Sequence, residues 1–398
     1  MAKKAYIGVE NTARRVRKIY LGAAGGEREV QAAYVGVGGT AHRIKRAYIG
    51  VNGVARACWS GGEIAHFGEI TPLSAARIPA AVDVGDYIIF AGGSGANWAS
   101  EYSVVDAYDR SLVRTTAASL RTARRNHGAT KAGKYGLICG GRNANSGFTD
   151  VDAYDENLVR TAAASLSGTT VNFGTARNRN YGLIGGGASS NYLSRVDAYD
   201  GTLTKTVCTP LSAASSSQAG SGVGQYAIFA GGLCVSSSYY PSQYVDAYGE
   251  DLTKVVAANL SIARTELGGA GNGEYALFAG GAVPNSNLTA STLKNNVDAY
   301  DSELTRGTAE ALSIARNGLA CSDLGENAIF AGGYSSSDAS NAADIYNSEL
   351  TRKSDLSLTT ARVSLKAASN GDLALFGGGA LDGAVTAVSN AVDVFTIG

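Results

Sequence analysis

Residues able to do chemistry are few and scattered in this 398-residue chain. The three histidines, His42, His66 and His127, stand too far apart to suggest a metal cluster or a base beside a nucleophile. The five cysteines, Cys58, Cys139, Cys208, Cys234 and Cys321, are odd in number and show no CxxC spacing, which argues against both a disulfide framework and a zinc site. Two charged residues recur instead: the aspartate of Val-Asp-Ala-Tyr, and the arginine closing Leu-x-x-Ala-Arg at Arg77, Arg124, Arg264, Arg316 and Arg362. One aspartate per repeat suits a structural hydrogen-bond acceptor better than a catalytic pair. The arginines could line a channel mouth and attract anions, but bridging between neighbouring units is the simpler role. Glycine pairs such as Gly186-Gly187 are not phosphate loops, because no Lys-Ser/Thr follows them and no helix opens there. No catalytic residue, metal or cofactor is expected, and the chain reads as a binder rather than an enzyme.

The elements that position these residues repeat with a period of 45 to 52 residues. An apolar run ending in two glycines occurs seven times, beginning at Tyr87, Tyr135, Tyr181, Tyr226, Tyr275, Asn327 and Leu373. The Val-Asp-Ala-Tyr motif or a close variant follows each, from Val105, Val151, Val196, Val245, Val297, Ala343 and Val392. The Leu-x-x-Ala-Arg motif precedes five copies and is degraded before the third and fourth, at Leu166 and Leu211. Each repeat reads as four short strands: a Gly/Ala-rich inner one, the run into the glycine pair, the Val-Asp-Ala-Tyr segment and a Thr/Val/Ala stretch. Asn272-Gly273 and Asn370-Gly371 mark hairpin turns between the first two. Four strands per unit at this period predicts a β-propeller.

The glycine pair, the following Tyr-Asp and the arginine together resemble the kelch repeat, over roughly residues 64–398. The tryptophan usual after the Tyr-Asp of kelch units is absent, with Thr115 and Thr161 nearby, which implies a divergent branch. The resemblance implies an all-β fold: a seven-bladed kelch-like β-propeller over 61–398, preceded by a small β-hairpin repeat module over 1–60. Kelch-type copper oxidases need a Tyr-Cys pair with histidine ligands, and propeller sialidases need Ser-x-Asp-x-Gly-x-Thr-Trp boxes; neither set is present. Residues 64–73 read as a fourth strand and the chain ends on a third, so the N-terminal strand is expected to complete the last blade and cover its edge.

Composition fits this plan. The 52 glycines, 5 prolines and 45% hydrophobic residues describe a globular chain with many tight turns. The formal charge is zero only by cancellation: residues 1–60 hold 11 Lys/Arg against 3 acids, and the remaining 338 hold 23 against 31. No apolar run has the length of a signal peptide core or a membrane span.

Residues 3–57 repeat every 14, each unit carrying a tyrosine (Tyr6, Tyr20, Tyr34, Tyr48) before a two-residue turn and a basic strand. The turns are read at 10–11, 25–26, 38–39 and 52–53, giving four hairpins with little core, so docking or homo-oligomerisation is expected. The tyrosines are most simply a packed row on one face; a nucleic-acid arm built from them and the Lys/Arg is the alternative. The pattern at 52–60, Asn-Gly-Val-Ala-Arg-Ala-Cys-Trp-Ser, resembles a short repeat near the ends of tail proteins of bacteriophages and prophages. That resemblance implies an attachment module on a virion tail, binding other tail or baseplate proteins, in a protein made in the cytoplasm of the bacterial host.

The segments after the glycine pairs vary from 8 to 15 residues, while the other turns are short and nearly constant. They are rich in Ser, Asn and Gly and carry Trp98, Tyr102, Phe148, Tyr192, Tyr239, Tyr240 and Tyr334. Rigid aromatic area among adaptable polar groups is paratope-like chemistry. These seven residues are the expected binding face, for a bacterial cell-surface receptor, glycan or protein. A purely structural baseplate component, or an intracellular kelch scaffold with a nucleic-acid-binding arm, is the competing expectation.

Overall fold

The computed structural model describes residues 64–289, 291–336 and 338–397, and within residues 5–60 the backbone of eight strands. The glycine pair dictates the local build. Gly92 and Gly93 have φ of +56° and +116°, and a Cβ on Gly93 would lie 2.2 Å from the Ile78 carbonyl oxygen. Only glycine fits such a close approach at positive φ. The pair therefore ends the second strand in blades 2 to 7 and shifts its register in blade 1, sending the chain outward toward the third.

Seven four-stranded antiparallel sheets result. The first blade is Ile78–Val84, Tyr87–Ser94, Glu101–Tyr108 and Arg114–Ala117; the fourth is Ala219–Val223, Tyr226–Ala230, Val245–Tyr248 and Lys254–Val256. In the seventh, Lys366–Ser369, Leu373–Gly377 and Val392–Ile397 are followed in the sheet by Ile64–Glu69, from the other end of the chain. Each innermost strand neighbours the next, and that of blade 7 neighbours that of blade 1. The molecule thus contains a closed seven-bladed β-propeller.

Apolar side chains bury themselves between blades rather than within them. Val82, Ile89, Val105 and Leu120 of blade 1 pack with Ile138 and Tyr154 of blade 2. At the seam where the ring closes, Ile88, Phe90 and Tyr108 pack with Leu375, Val392 and Val394 of blade 7. The motif tyrosine spans the junction in blades 1 to 5, as Tyr108 donates to the Thr71 carbonyl at 2.9 Å and Tyr154 to that of Ala118 at 2.7 Å, whereas the Tyr346 hydroxyl finds no partner and blade 7 carries Phe395. The acid after it shapes the next turn, as Asp109 Oδ1 accepts from the amides of Ser111 and Val113.

Contacts divide the chain into two units, residues 1–65 with 396–398, and residues 66–395. In the first, Ala5–Val9 pairs with Thr12–Val16, Tyr20–Ala23 with Gly26–Glu29, Tyr34–Val37 with Thr40–Arg43 and Arg46–Val51 with Val54–Ser60. The second hairpin pairs Ala23 with Gly26, one residue earlier than the turn expected at 25–26. The side chains of Tyr6, Tyr20, Tyr34 and Tyr48 lie outside the described residues.

Candidate functional site

The recurring charged pair proves to be structural. Arg77 donates to Asp106, Arg124 to Asp152, Arg264 to Asp298 and Arg316 to Asp344, each at 2.8 Å with both side chains fully buried. Arg362 pairs with Asp393 in the same way. Each arginine also reaches backbone, as Arg77 does to the carbonyls of Phe90 and Gly92. The inter-blade connection is thereby locked to the blade that follows it. In blades 3 and 4 Thr170 and Ser215 replace the arginine, and Asp197 and Asp246 keep the bonds from Ser167 and Ser212 that Ser74, Ser261 and Ser313 also make in blades 1, 5 and 6. His66 serves the same acid in blade 7, with Nε2 2.9 Å from Asp393 Oδ1 and its ring 5.0 Å from that of Phe395.

The two mouths of the central channel differ. At the face of the first hairpin turns lies a cavity of about 430 Å³, crossed by ion pairs. Arg177 of blade 3 reaches Asp83 of blade 1 at 3.3 Å and Asp323 of blade 6 at 3.5 Å, and Lys131 of blade 2 also pairs with Asp83. The Asp323 carboxylate, helped by Asp83, raises the pKa of the Arg177 guanidinium against the effect of burial.

At the opposite mouth a cavity of about 1180 Å³ is walled by the variable loops and the inter-blade connections. Its collar is built from residues in left-handed backbone: Asn126, Asn172, Ser217, Glu266, Gly318 and Ser364, with φ from +52° to +60°. Neighbouring collar residues bond amide to carbonyl from blade to blade, Asn172 to Asn126, Ser217 to Asn172, Glu266 to Ser217, Gly318 to Glu266 and Ser364 to Gly318. Burial raises the pKa of Glu266 despite its bond from Asn317. Pro79 of blade 1 lies against Gly378 as His127 of blade 2 lies against Gly92, with no left-handed residue before it. In that sector the wall is Pro79, Ser94 and Trp98.

Trp98 is held in a strained turn. Both Asn97 (φ +51°) and Trp98 (φ +57°) are left-handed, a conformation that costs a non-glycine residue roughly 1–2 kcal/mol. Two contacts hold it: the Asn97 amide donates to the Val385 carbonyl of the blade 7 loop at 2.8 Å, and the Arg125 guanidinium lies 5.9 Å from the indole and donates to the Trp98 carbonyl. The indole stays 41% exposed. Strain is thus maintained at an exposed aromatic beside the cavity.

Of the seven aromatics expected on the binding face, Trp98 and Tyr334 line this cavity. Tyr192 and Tyr239 meet each other, ring centroids 6.3 Å apart, and Tyr239 and Tyr240 stand exposed on a small hairpin of blade 4, Leu233–Val235 with Tyr239–Pro241. Tyr102, near the start of the strand Glu101–Tyr108, and Phe148 are half-buried, and neither lines the cavity.

Three wall residues were not singled out from the sequence as site residues: His127, Gln218 and Lys366. His127 immediately precedes the inner strand Gly128–Ala132, and its Nε2 lies 2.9 Å from the Ala91 carbonyl. Burial, reinforced by Arg124, lowers its pKa to about 3 and keeps the ring neutral. Gln218 makes the corresponding bond to the Gly185 carbonyl at 2.6 Å. Blades 5 and 6 carry Leu267 and Leu319 at this place, so comparing repeats position by position would have exposed the polar departures. Cys139, by contrast, is a buried filler whose thiol is pushed up to about 12 by burial. Among the described residues no group of three or more His, Cys, Asp or Glu is placed to hold a metal ion, and no helix is long and apolar enough to cross a membrane.

No protein-family model matches the chain, and no curated protein does. Among solved structures, one titled "Structure of YjhT" aligns with a TM-score of 0.57 at 11% identity, over 72% of this chain and 99% of that one. At that identity the likeness concerns the fold alone.

Proposed function

We propose that the chain is a receptor-binding protein of a bacteriophage or prophage tail, of divergent kelch type, whose loop face contacts a receptor on the bacterial surface while residues 1–60 attach it to the virion. The observation that carries this reading is the contrast between the two mouths. One is uniform and crossed by ion pairs, whereas the other opens a cavity of about 1180 Å³ ringed by variable loops and presenting Trp98 and Tyr334. Aromatic faces beside amide and hydroxyl side chains suit a glycan, and sites of this kind bind without a catalytic cluster. Purified cell-surface glycan should compete with cells for the full-length protein, and Trp98→Ala should weaken capture about tenfold or more. Capture that no glycan competes and that survives Trp98→Ala would remove the glycan reading.

A second reading, a purely architectural tail component, draws on the outer strands and the turns that lead into them. There Val113, Val159, Val207 and Val256 are each more than half exposed, a spacing of apolar side chains around the rim that neighbouring subunits could cover.

A further inference from the structure

One position on the innermost strands breaks the pattern of the ring. The residue paired with the one before the glycine pair is glycine or alanine in the first six blades, from Ala80 and Gly128 to Gly268 and Ala320. In blade 7 it is Lys366, opposite Gly377. Small residues belong there because the innermost strands crowd around the axis; a lysine instead projects into the lumen, where it lines the loop-face cavity. The lysine is exposed to the cavity, and desolvation by the surrounding lumen wall lowers the pKa of its ammonium.

No carboxylate among the described residues pairs with this cation. Of the acids on the same wall, Glu266 accepts from Asn317, Asp382 accepts from Thr386, and Asp338 accepts from the Ala339 amide. His127 across the lumen is neutral and adds no competing charge. Exposed to the lumen and without a counter-charge from its own chain, the ammonium is placed to meet an anion that enters from outside.

We propose that Lys366 anchors a binding site for a carboxylate or phosphate group carried on a saccharide, which enters from the loop face and stacks on Trp98. The anion supplies the missing counter-charge through a charge-assisted hydrogen bond. Collar side chains such as Asn126, Asn172 and Ser364 are the hydroxyl partners, and the indole takes the apolar face of a sugar ring. The inference rests on the receptor-binding reading, since it names the ligand class of the same cavity.

Titration calorimetry of the full chain with glucuronate, glucose 6-phosphate and glucose tests it. The acidic probes are expected to bind, with the preference between them identifying carboxylate or phosphate, and glucose to bind about tenfold more weakly or worse. Lys366→Ala should erase the preference, and Lys366→Arg should keep it. Lys366→Ala should leave Tm no lower, because it restores the small residue of the other blades. Equal binding of glucose and the acidic probes, no saturable binding of either acid, or an unchanged preference in Lys366→Ala overturns the site. Adsorption to bacterial cells is measured in parallel: adsorption without acid preference sinks the Lys366 site and leaves the receptor reading, while acid binding through Lys366 without adsorption does the reverse.

Discussion

Neither Arg316 nor Asp344 exposes its side chain, and the 2.8 Å bond between them takes both charges out of water together. Removing the guanidinium alone strands a carboxylate, so Arg316→Met is expected to cost about 3–5 kcal/mol in denaturant unfolding. A much smaller loss would mean that Arg352, 2.9 Å from the same acid, carries the compensation. His127 makes a second prediction, this time with pH. Its pKa falls from 6.5 to about 3 on folding, so below pH 6.5 the unfolded chain takes up a proton that the folded one refuses. The stability linked to neutral His127 is therefore present above pH 6.5 and lost progressively down to about pH 3. His127→Gln, which copies the residue of blade 4, should remove this loss: at pH 5 the variant should gain about 2 kcal/mol relative to the native chain beyond any difference at pH 7.5. Parallel stability curves for the two proteins between pH 7.5 and pH 5 would refute the assignment.

At the scale of elements, the seam between blades 7 and 1 is where the two ends of the ring meet. The strand Ile64–Glu69 lies beside Val392–Ile397, the Ile70 amide donates to the Val392 carbonyl at 3.0 Å, and Tyr108 bridges to Thr71. A chain lacking residues 1–73 should melt well below one lacking residues 1–60, since it exposes a strand edge and opens the seam core; equal Tm values would show that this strand does not close the ring. The blades themselves were legible because their constraint is covalent and repeated. Gly93 admits no side chain beside the Ile78 carbonyl, and the same demand recurs at Gly141 and Gly232, so the motif is nearly invariant along the chain. The site was legible only in part. Trp98 and Tyr334 announced themselves as large residues in variable loops, but nothing in their spacing shows that they share a cavity while Tyr102 and Phe148 do not. That separation depends on the Asn97–Trp98 turn and its bond to Val385, a contact between loops nearly 290 residues apart. His127 and Gln218 are polar departures at one repeated position and Lys366 is a departure at the next, visible only when all seven copies are compared at once.

For the whole molecule, asymmetry on a symmetric frame is the feature that points to function. Seven sheets of one design close the ring, buried Arg–Asp pairs lock five of its connections, and one mouth is crossed by ion pairs from blades 1, 2, 3 and 6. The other mouth departs from the repeat in nearly every blade, by loop length, by strained backbone at Trp98, and by lone polar residues in the lumen. Binding at that mouth is the central claim. The most direct measurement is adsorption of the labelled full-length protein to a panel of bacterial strains, comparing Trp98→Ala/Tyr334→Ala on the loop face with Val113→Ser/Val159→Ser on the rim. Adsorption to particular strains, lost in the loop-face variant and kept in the rim variant, is the expected result; adsorption that survives the loop-face substitutions and fails with the rim ones would contradict the account.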